Sequence, residues 1–233
     1  MKIIVSDFDN TFYTAEYEKN IQLIKSFIEK GNKFIIATGR PIYLLKPDIE
    51  DYNLDCSYIV CNDGGVIFDS EGKKIFEENI DKEVAKEVYE LLSKDDNFEE
   101  VFIDTALNFS KDINDTFNAI LALPKDKKIA QKQIDELMEK YPSIQGYISH
   151  RWLNILNKNS SKGNAINGLC KYLKIDVNDV IAMGDDLNDI SMMQAVGMGV
   201  AMGNACKEVK EHAKEITKTN NENGVAETLN SKF

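Results

Sequence analysis

Histidine is nearly missing from this sequence. Among 233 positions only His150 and His212 carry an imidazole, so a histidine-built metal centre or catalytic triad has little to draw on. Cysteine is sparse as well. Cys56, Cys61, Cys170 and Cys206 show none of the short paired spacings of a metal site, which leaves reduced thiols in the core and on the surface as the reading. No apolar run approaches the ~20 residues of a membrane span. No basic segment precedes an apolar one at the start of the chain, so a signal peptide is not expected and the cytoplasm is the expected location. Positive charge is in deficit: 28 Lys and Arg face 39 Asp and Glu, a net charge of −11. That balance argues against nucleic acid or an anionic membrane as the main partner. A monomer or homodimer is expected.

Carboxylate is what the chain has in plenty, and two patches stand out. Asp7-Phe8-Asp9-Asn10-Thr11 follows the apolar run Ile3-Ile4-Val5, and Gly184-Asp185-Asp186-Leu187-Asn188-Asp189 follows Val180-Ile181-Ala182-Met183. Each run is short and rich in apolar or β-branched residues, the pattern of a buried parallel strand. Ligands of open parallel sheets bind beyond the carboxyl ends of the strands. Two neighbouring strands ending this way would gather Asp7, Asp9, Asp185, Asp186 and Asp189 in one crevice. Such crowding is relieved by a hard cation, and an all-oxygen donor set suits Mg²⁺.

The rest of the chain reads as alternating elements. A helix is expected over 20–29, a strand over 33–37 ending in Thr38-Gly39-Arg40, a helix over 43–52 kinked or broken at Pro47, and a strand over 58–61. The turn Asn62-Asp63-Gly64-Gly65 then leads into a hairpin. This β-α-β-α-β order predicts an α/β fold with a doubly wound parallel sheet, a Rossmann-like core. Character changes near Asp81. The block 81–157 reads as a smaller α+β domain, with helices over 82–92 and 126–140, strands near 100–103, 144–149 and 152–156, and an apolar run at 119–123 punctuated by Pro124. The second helix is expected to turn Ile129, Ile134, Leu137 and Met138 inward. The block holds 10 Lys/Arg against 15 Asp/Glu, so it is no polyanion-binding module. The α/β pattern resumes at Ser161, so residues 1–80 and 158–233 form the core.

An aspartate pair, a hydroxyl at Thr38, a lysine at Lys162 and an acidic loop therefore follow one another, each after the right element. In this order the chain resembles the haloacid dehalogenase superfamily of phosphohydrolases. The long insert between Thr38 and Lys162 is similar to the mobile cap of its Cof-type branch. The resemblance implies a Mg²⁺-dependent phosphatase of a small phosphorylated metabolite, a sugar phosphate or similar monoester, acting through an aspartyl-phosphate. A phosphomutase or phosphotransferase on the same scaffold stays open, and a phospho-receiver module fits less well.

A carboxylate can attack phosphorus and so split one hard step into two, which makes Asp7 the candidate nucleophile. The resemblance gives Asp9 the role of acid and base, and gives Mg²⁺ the side chains of Asp7 and Asp185 and the backbone carbonyl of Asp9. Thr38 would donate to a phosphoryl oxygen, and Lys162 would neutralise charge. Asn188 and Asp189 would support the metal site, and Gly39 would permit close backbone approach. Thr11 either holds the Asp7 loop or caps a helix. Arg40 is either a substrate contact or a surface charge at a helix start. His150 and Arg151, at the last turn of the insert, are candidate substrate contacts. Two departures from the family pattern concern turns. Asn10 stands where Gly is common, and Asn tolerates the left-handed backbone. Asp63-Gly64 stands where Asn-Gly is common, which puts a phosphate contact there in doubt.

Overall fold

The computed structural model of the chain describes residues 1–14, 17–149 and 151–233. In its first part, β1 (Ile3–Ser6), α1 (Tyr17–Glu29), β2 (Lys33–Ala37), α2 (Ile42–Asp51) and β3 (Tyr58–Cys61) lead to the hairpin β4 (Val66–Asp69) and β5 (Lys74–Glu77). The middle part holds α3 (Lys82–Ser93), β6 (Phe98–Asp104), β7 (Phe109–Ser110), β8 (Ala119–Pro124), α4 (Lys127–Lys140), β9 (Ile144–Ser149) and β10 (Trp152–Asn157). Then come α5 (Lys162–Leu173), β11 (Val180–Gly184), α6 (Ile190–Ala195), β12 (Met198–Ala201), α7 (Lys207–His212), β13 (Glu215–Ile216) and α8 (Gly224–Lys232).

Among the described residues the strands form two sheets. The larger runs β13-β12-β11-β1-β2-β3-β4-β5 and the smaller runs β7-β6-β8-β10-β9. In the larger, β1 lies between β11 and β2, parallel to both, so Ser6 aligns with Met183 and with Ile36. Two acidic patches 174 residues apart in sequence (Thr11 to Asp185) thus meet at one edge of the sheet. Alternation along β1 sends Ile4 to one face, with Ile24 of α1, Leu45 of α2 and Leu229 of α8. It sends Ile3 and Val5 to the other, with Ile166 and Leu169 of α5 and Met192 of α6. The sheet is covered on both sides, as a doubly wound parallel sheet requires. The smaller sheet packs one face on α3 and α4 through Val88, Leu92, Ile103, Ile120, Ile134 and Ile155.

The chain passes between the two sheets twice, after β5 and after β10. The passages touch: Asn157 Nδ2 donates to the Asn79 carbonyl at 2.9 Å. Beside them Asn118 Nδ2 donates to the Gly65 carbonyl at 2.8 Å, and Asn62 Nδ2 donates to Asn118 Oδ1 at 2.6 Å.

Two local expectations differ from the structure, the break at Pro47 and the inward place of Ile129. Helix α2 continues through Pro47. The proline is exposed, so the carbonyl it leaves without a donor can be hydrated and the helix does not break. Ile129 is 50% exposed, while Ala130 takes the inward position with Ile134 and Leu137. The true apolar face is i, i+4, i+7, and Ile129 lies one step to its side. The two-residue strand β7 carries no sequence period at all. Among the described residues, no helix is long and apolar enough to cross a membrane.

Candidate active site

Asp7 leaves β1 with its backbone N–H bonded to the Met183 carbonyl at 2.9 Å, which ties the two strand ends together. The turn that follows is tight. Asn10 takes φ 57°, the left-handed conformation that Asn tolerates, and the Phe12 amide donates back to the Asp7 carbonyl at 3.3 Å. Phe8 and Phe12 are fully buried beneath this turn. Asp7 is left with its carboxylate at the sheet edge, 6% exposed.

Lys162 comes from below. Ser161 caps α5, its hydroxyl accepting from the Asn164 amide at 3.1 Å, which sets Lys162 as the first helical residue. The ammonium is buried and donates to Asp7 Oδ1 at 2.7 Å and to Asp189 Oδ1 at 2.6 Å. Asp189 Oδ2 accepts from the amides of Asp185 and Asp186 at 2.9 and 3.0 Å. Asp189 thus shapes the acidic loop and holds the lysine, and both its oxygens are occupied. Gly184 makes this possible: a Cβ there would fall 2.3 Å from the Asp189 carboxyl carbon.

Asp185 takes a hydrogen bond from Thr11 Oγ1 at 2.7 Å and a longer one from Asn204 Nδ2 at 3.3 Å. Thr11 therefore holds the two acidic segments together. Thr38, at the end of β2, is buried and accepts from the Arg40 amide at 3.1 Å, which leaves its hydroxyl hydrogen to donate to a ligand. Arg40 is anchored on the site's own carboxylates. Its Nε donates to Asp9 Oδ2 at 2.7 Å, its Nη2 donates to Asp9 Oδ1, and its Nη1 donates to Asp48 Oδ2 at 2.7 Å. The guanidinium lies 5.4 Å from the centroid of the Phe8 ring.

Carboxylate oxygens of Asp7, Asp185 and Asp189 lie within 4.8 Å of one another. One ammonium faces them. Burial, reinforced by Asp189 and Asp185 and opposed by Lys162, pushes the Asp7 carboxyl well above its usual range. Burial pushes Asp185 up to about 6. Burial also works against the Lys162 charge, yet Asp189 and Asp7 hold it above its ordinary value. The cluster is all oxygen and short of positive charge, and Asp7 and Asp185 keep open donor positions. These residues fit a hard divalent cation.

These groups open into a cleft of about 620 Å³ between the two sheets, lined by Asp7, Asp9, Thr38, Arg40, Asp185 and Asn188 among others. Asn188 Nδ2 reaches across to Asp63 Oδ1 at 2.8 Å, and Tyr147 of β9 donates its hydroxyl to Asp63 Oδ2. Asp63 is thus a site residue, standing between the core and the smaller sheet, and Gly39 faces it: a Cβ at Gly39 would lie 3.2 Å from both carboxylate oxygens. Sequence reasoning left the role of Asp63 in doubt and missed Tyr147 and Asn204. Asp63 and Asn204 each follow a strand of the larger sheet closely, the signal that marked Asp7 and Asp185. Arg151 is exposed in the β9–β10 turn and does not line the cleft, whereas Trp152 beside it does. His150 lies outside the described residues.

Asp104 lines the same cleft, accepting from Tyr43 of α2 at 3.1 Å and from the Ala106 amide at 2.7 Å. Burial pushes its carboxyl up to about 6. The folded protein then holds a proton here that the unfolded chain loses near pH 4. Asp104 therefore contributes a fall in stability as pH rises from about 4 to about 6. Urea unfolding midpoints of Asp104→Asn and the native chain, compared at pH 4.5 and 7, should differ in the variant's favour more at pH 7. An equal difference at both values would remove this assignment.

The family model for haloacid dehalogenase-like hydrolases matches residues 4–108 and 93–229. Phosphatase YwpJ of Bacillus subtilis is 27% identical, over 98% of this chain and 99% of its own. A haloacid dehalogenase-like hydrolase from Bacteroides thetaiotaomicron superposes with a TM-score of 0.85 at 25% identity, covering 100% of this chain and 99% of that one. BT4131, a sugar phosphatase of haloacid dehalogenase subclass IIB, shares the fold at a TM-score of 0.82 and 21% identity, over 99% and 98% of the two chains. With its strand-end carboxylates, its buried lysine and its second sheet over the cleft, the chain belongs to the haloacid dehalogenase-like hydrolases and is an enzyme of the phosphatase type.

Proposed function

We propose that this protein is a Mg²⁺-dependent phosphatase that hydrolyses a small phosphorylated metabolite through a phosphoryl group carried on Asp7. The observation that carries the reading is the buried Asp7–Lys162–Asp189 chain, of which Asp7 lines the cleft with Lys162 and Asp189 behind it. With Oδ1 bonded to Lys162, Asp7 can offer Oδ2 to phosphorus. The P–O bond to the leaving group breaks as the Asp7–P bond forms. Asp9 gives its proton to the leaving oxygen and then takes one from the water that cleaves the acyl phosphate. For this Arg40 yields one of its two bonds to Asp9, while Asp48 keeps the other side of the guanidinium in place. Thr38 and Lys162 hold phosphoryl oxygens where charge develops.

Asp7 and Asp185, with the Asp9 carbonyl, would hold Mg²⁺, which when bound lowers the repulsion between carboxylate and phosphate. Asn188 and Asp189 orient the loop that carries Asp185. Phosphate release from phosphomonoesters should vanish with excess chelator and return with Mg²⁺. Asp185→Ala should raise the Mg²⁺ requirement by at least the ~10–100-fold typical of a lost outer partner. Full turnover in excess chelator would rule the reading out.

A further inference from the structure

The open face of the smaller sheet has an unusual composition. Its other face is filled by α3 and α4. An antiparallel sheet with one packed face normally presents polar residues on the other. Here the cross-strand register sets Asp104, Ala119 and Leu156 in one row and Leu121, Asn154 and Tyr147 in the next. All six line the cleft that holds Asp7. Two aromatic rings border these rows. Phe109 of β7 pairs with Asp104, and Trp152 pairs with Ser149 on β10 and β9. Both line the cleft, and Phe109 is 42% exposed although it packs on Tyr43 at 4.8 Å between centroids. The leaving-group side of the cleft therefore combines apolar and aromatic residues, Ala119, Leu121, Leu156, Phe109 and Trp152, with one carboxylate, Asp104, and the uncharged polar groups of Asn154 and Tyr147.

Charge restricts this side further. The described residues lining the cleft include six carboxylates, Asp7, Asp9, Asp63, Asp104, Asp185 and Asp186. Arg40 is the one cation among them, and it is bonded to Asp9 and Asp48. Lys111 lies over the Phe102 ring, 4.8 Å from its centroid, and does not line the cleft. Among the described residues lining the cleft, a second anionic group on the substrate would meet Asp104 with no free cation to pair with, and unpaired charge is costly in such a place.

Resting on the phosphatase reading, we infer that the leaving group this cleft accepts is uncharged and carries a flat apolar ring, held against Leu121 and Trp152, and that bisphosphates and phosphocarboxylates are rejected. The ring gains burial and stacking on an aromatic wall. Its polar substituents meet Asn154.

Four phosphomonoesters of primary alcohols test this, because their leaving groups have similar intrinsic reactivity: benzyl phosphate, glucose 6-phosphate, fructose 1,6-bisphosphate and 2-phosphoglycolate. The native enzyme with Mg²⁺ should show kcat/KM for benzyl phosphate at least about tenfold above glucose 6-phosphate, the worth of one stacked and buried ring. The two substrates with a second anionic group, a phosphate in one and a carboxylate in the other, should rank lower still. Trp152→Ala should cut the benzyl preference about tenfold, and Leu121→Lys should raise fructose 1,6-bisphosphate relative to benzyl phosphate. Trp152 is the sole tryptophan of the chain, which provides a second readout free of turnover. Benzyl phosphate, and not glucose 6-phosphate, should change the intrinsic fluorescence of Asp7→Asn in a saturable way. Phosphate release with glucose 6-phosphate ranked first overturns the inference and leaves the phosphatase reading standing. Saturable fluorescence change without phosphate release from any of the four supports the inference and removes the reading on which it was built.

Discussion

Asp7→Asn should leave a folded protein whose phosphate release is lower by about 10⁴-fold or more, the scale seen when a nucleophile acting with its partners is removed. The amide has the size and shape of the carboxylate but no charge with which to attack phosphorus. The fold should tolerate the change for an electrostatic reason. Burial and two neighbouring carboxylates make an ionised Asp7 unfavourable, so its replacement by a neutral group removes repulsion. Lys162 keeps its 2.6 Å bond to Asp189. Because the folded carboxyl has a raised pKa, the stability it costs is present at neutral pH and disappears on acidification. Thermal unfolding at pH 7 should show the variant at or above the native midpoint. Near-normal turnover in a folded Asp7→Asn protein would refute its role as nucleophile.

Lys162→Met should be damaging in both respects. The ammonium is buried and holds two buried carboxylates. Methionine fills similar volume but leaves Asp7 and Asp189 unpaired, a defect that costs about 3–5 kcal/mol when one member of a buried ion pair is deleted. Phosphate release should fall as well, since in the proposed mechanism the same ammonium neutralises the phosphoryl group. The lysine's pKa is raised, so its contribution is present throughout the range below its unfolded value near 10. Any pH dependence of the loss between 5 and 8 then comes from the stranded Asp7 carboxyl, and the variant should recover stability as the pH falls and Asp7 takes up a proton. Denaturant midpoints at pH 5 and pH 8 measure this. An equally stable variant at both values would show that Lys162 serves chemistry alone.

The clustering of Asp7, Thr38 and Asp185 was legible because it obeys a local rule. Asp7, Thr38 and Asp185 each follow a short apolar run, and a strand end in a parallel sheet has a defined place. Asn10 was legible for a similar reason, since the turn needs a residue that accepts positive φ. What escaped is non-local. The Tyr147 hydroxyl meets Asp63 across 84 residues of sequence, and no periodicity records that pairing. Arg40 could be read as a surface charge because its partners, Asp9 and Asp48, approach only once β1, β2 and α2 are in place. Arg151 and Trp152 show the limit of proximity as a guide: they are neighbours in sequence, yet only Trp152 enters the cleft. Ile129 was misplaced because hydrophobicity alone does not say which of two adjacent helical positions is covered.

The bond between Asn157 and Asn79 has a consequence beyond holding two passages side by side. An insert whose ends meet behaves as a cassette. It can be exchanged for a longer, shorter or differently shaped one while the sheet it interrupts keeps every strand. The strand ends that carry Asp7, Thr38 and Asp185 lie outside the exchanged part, so a new roof could be set over the cleft without moving them.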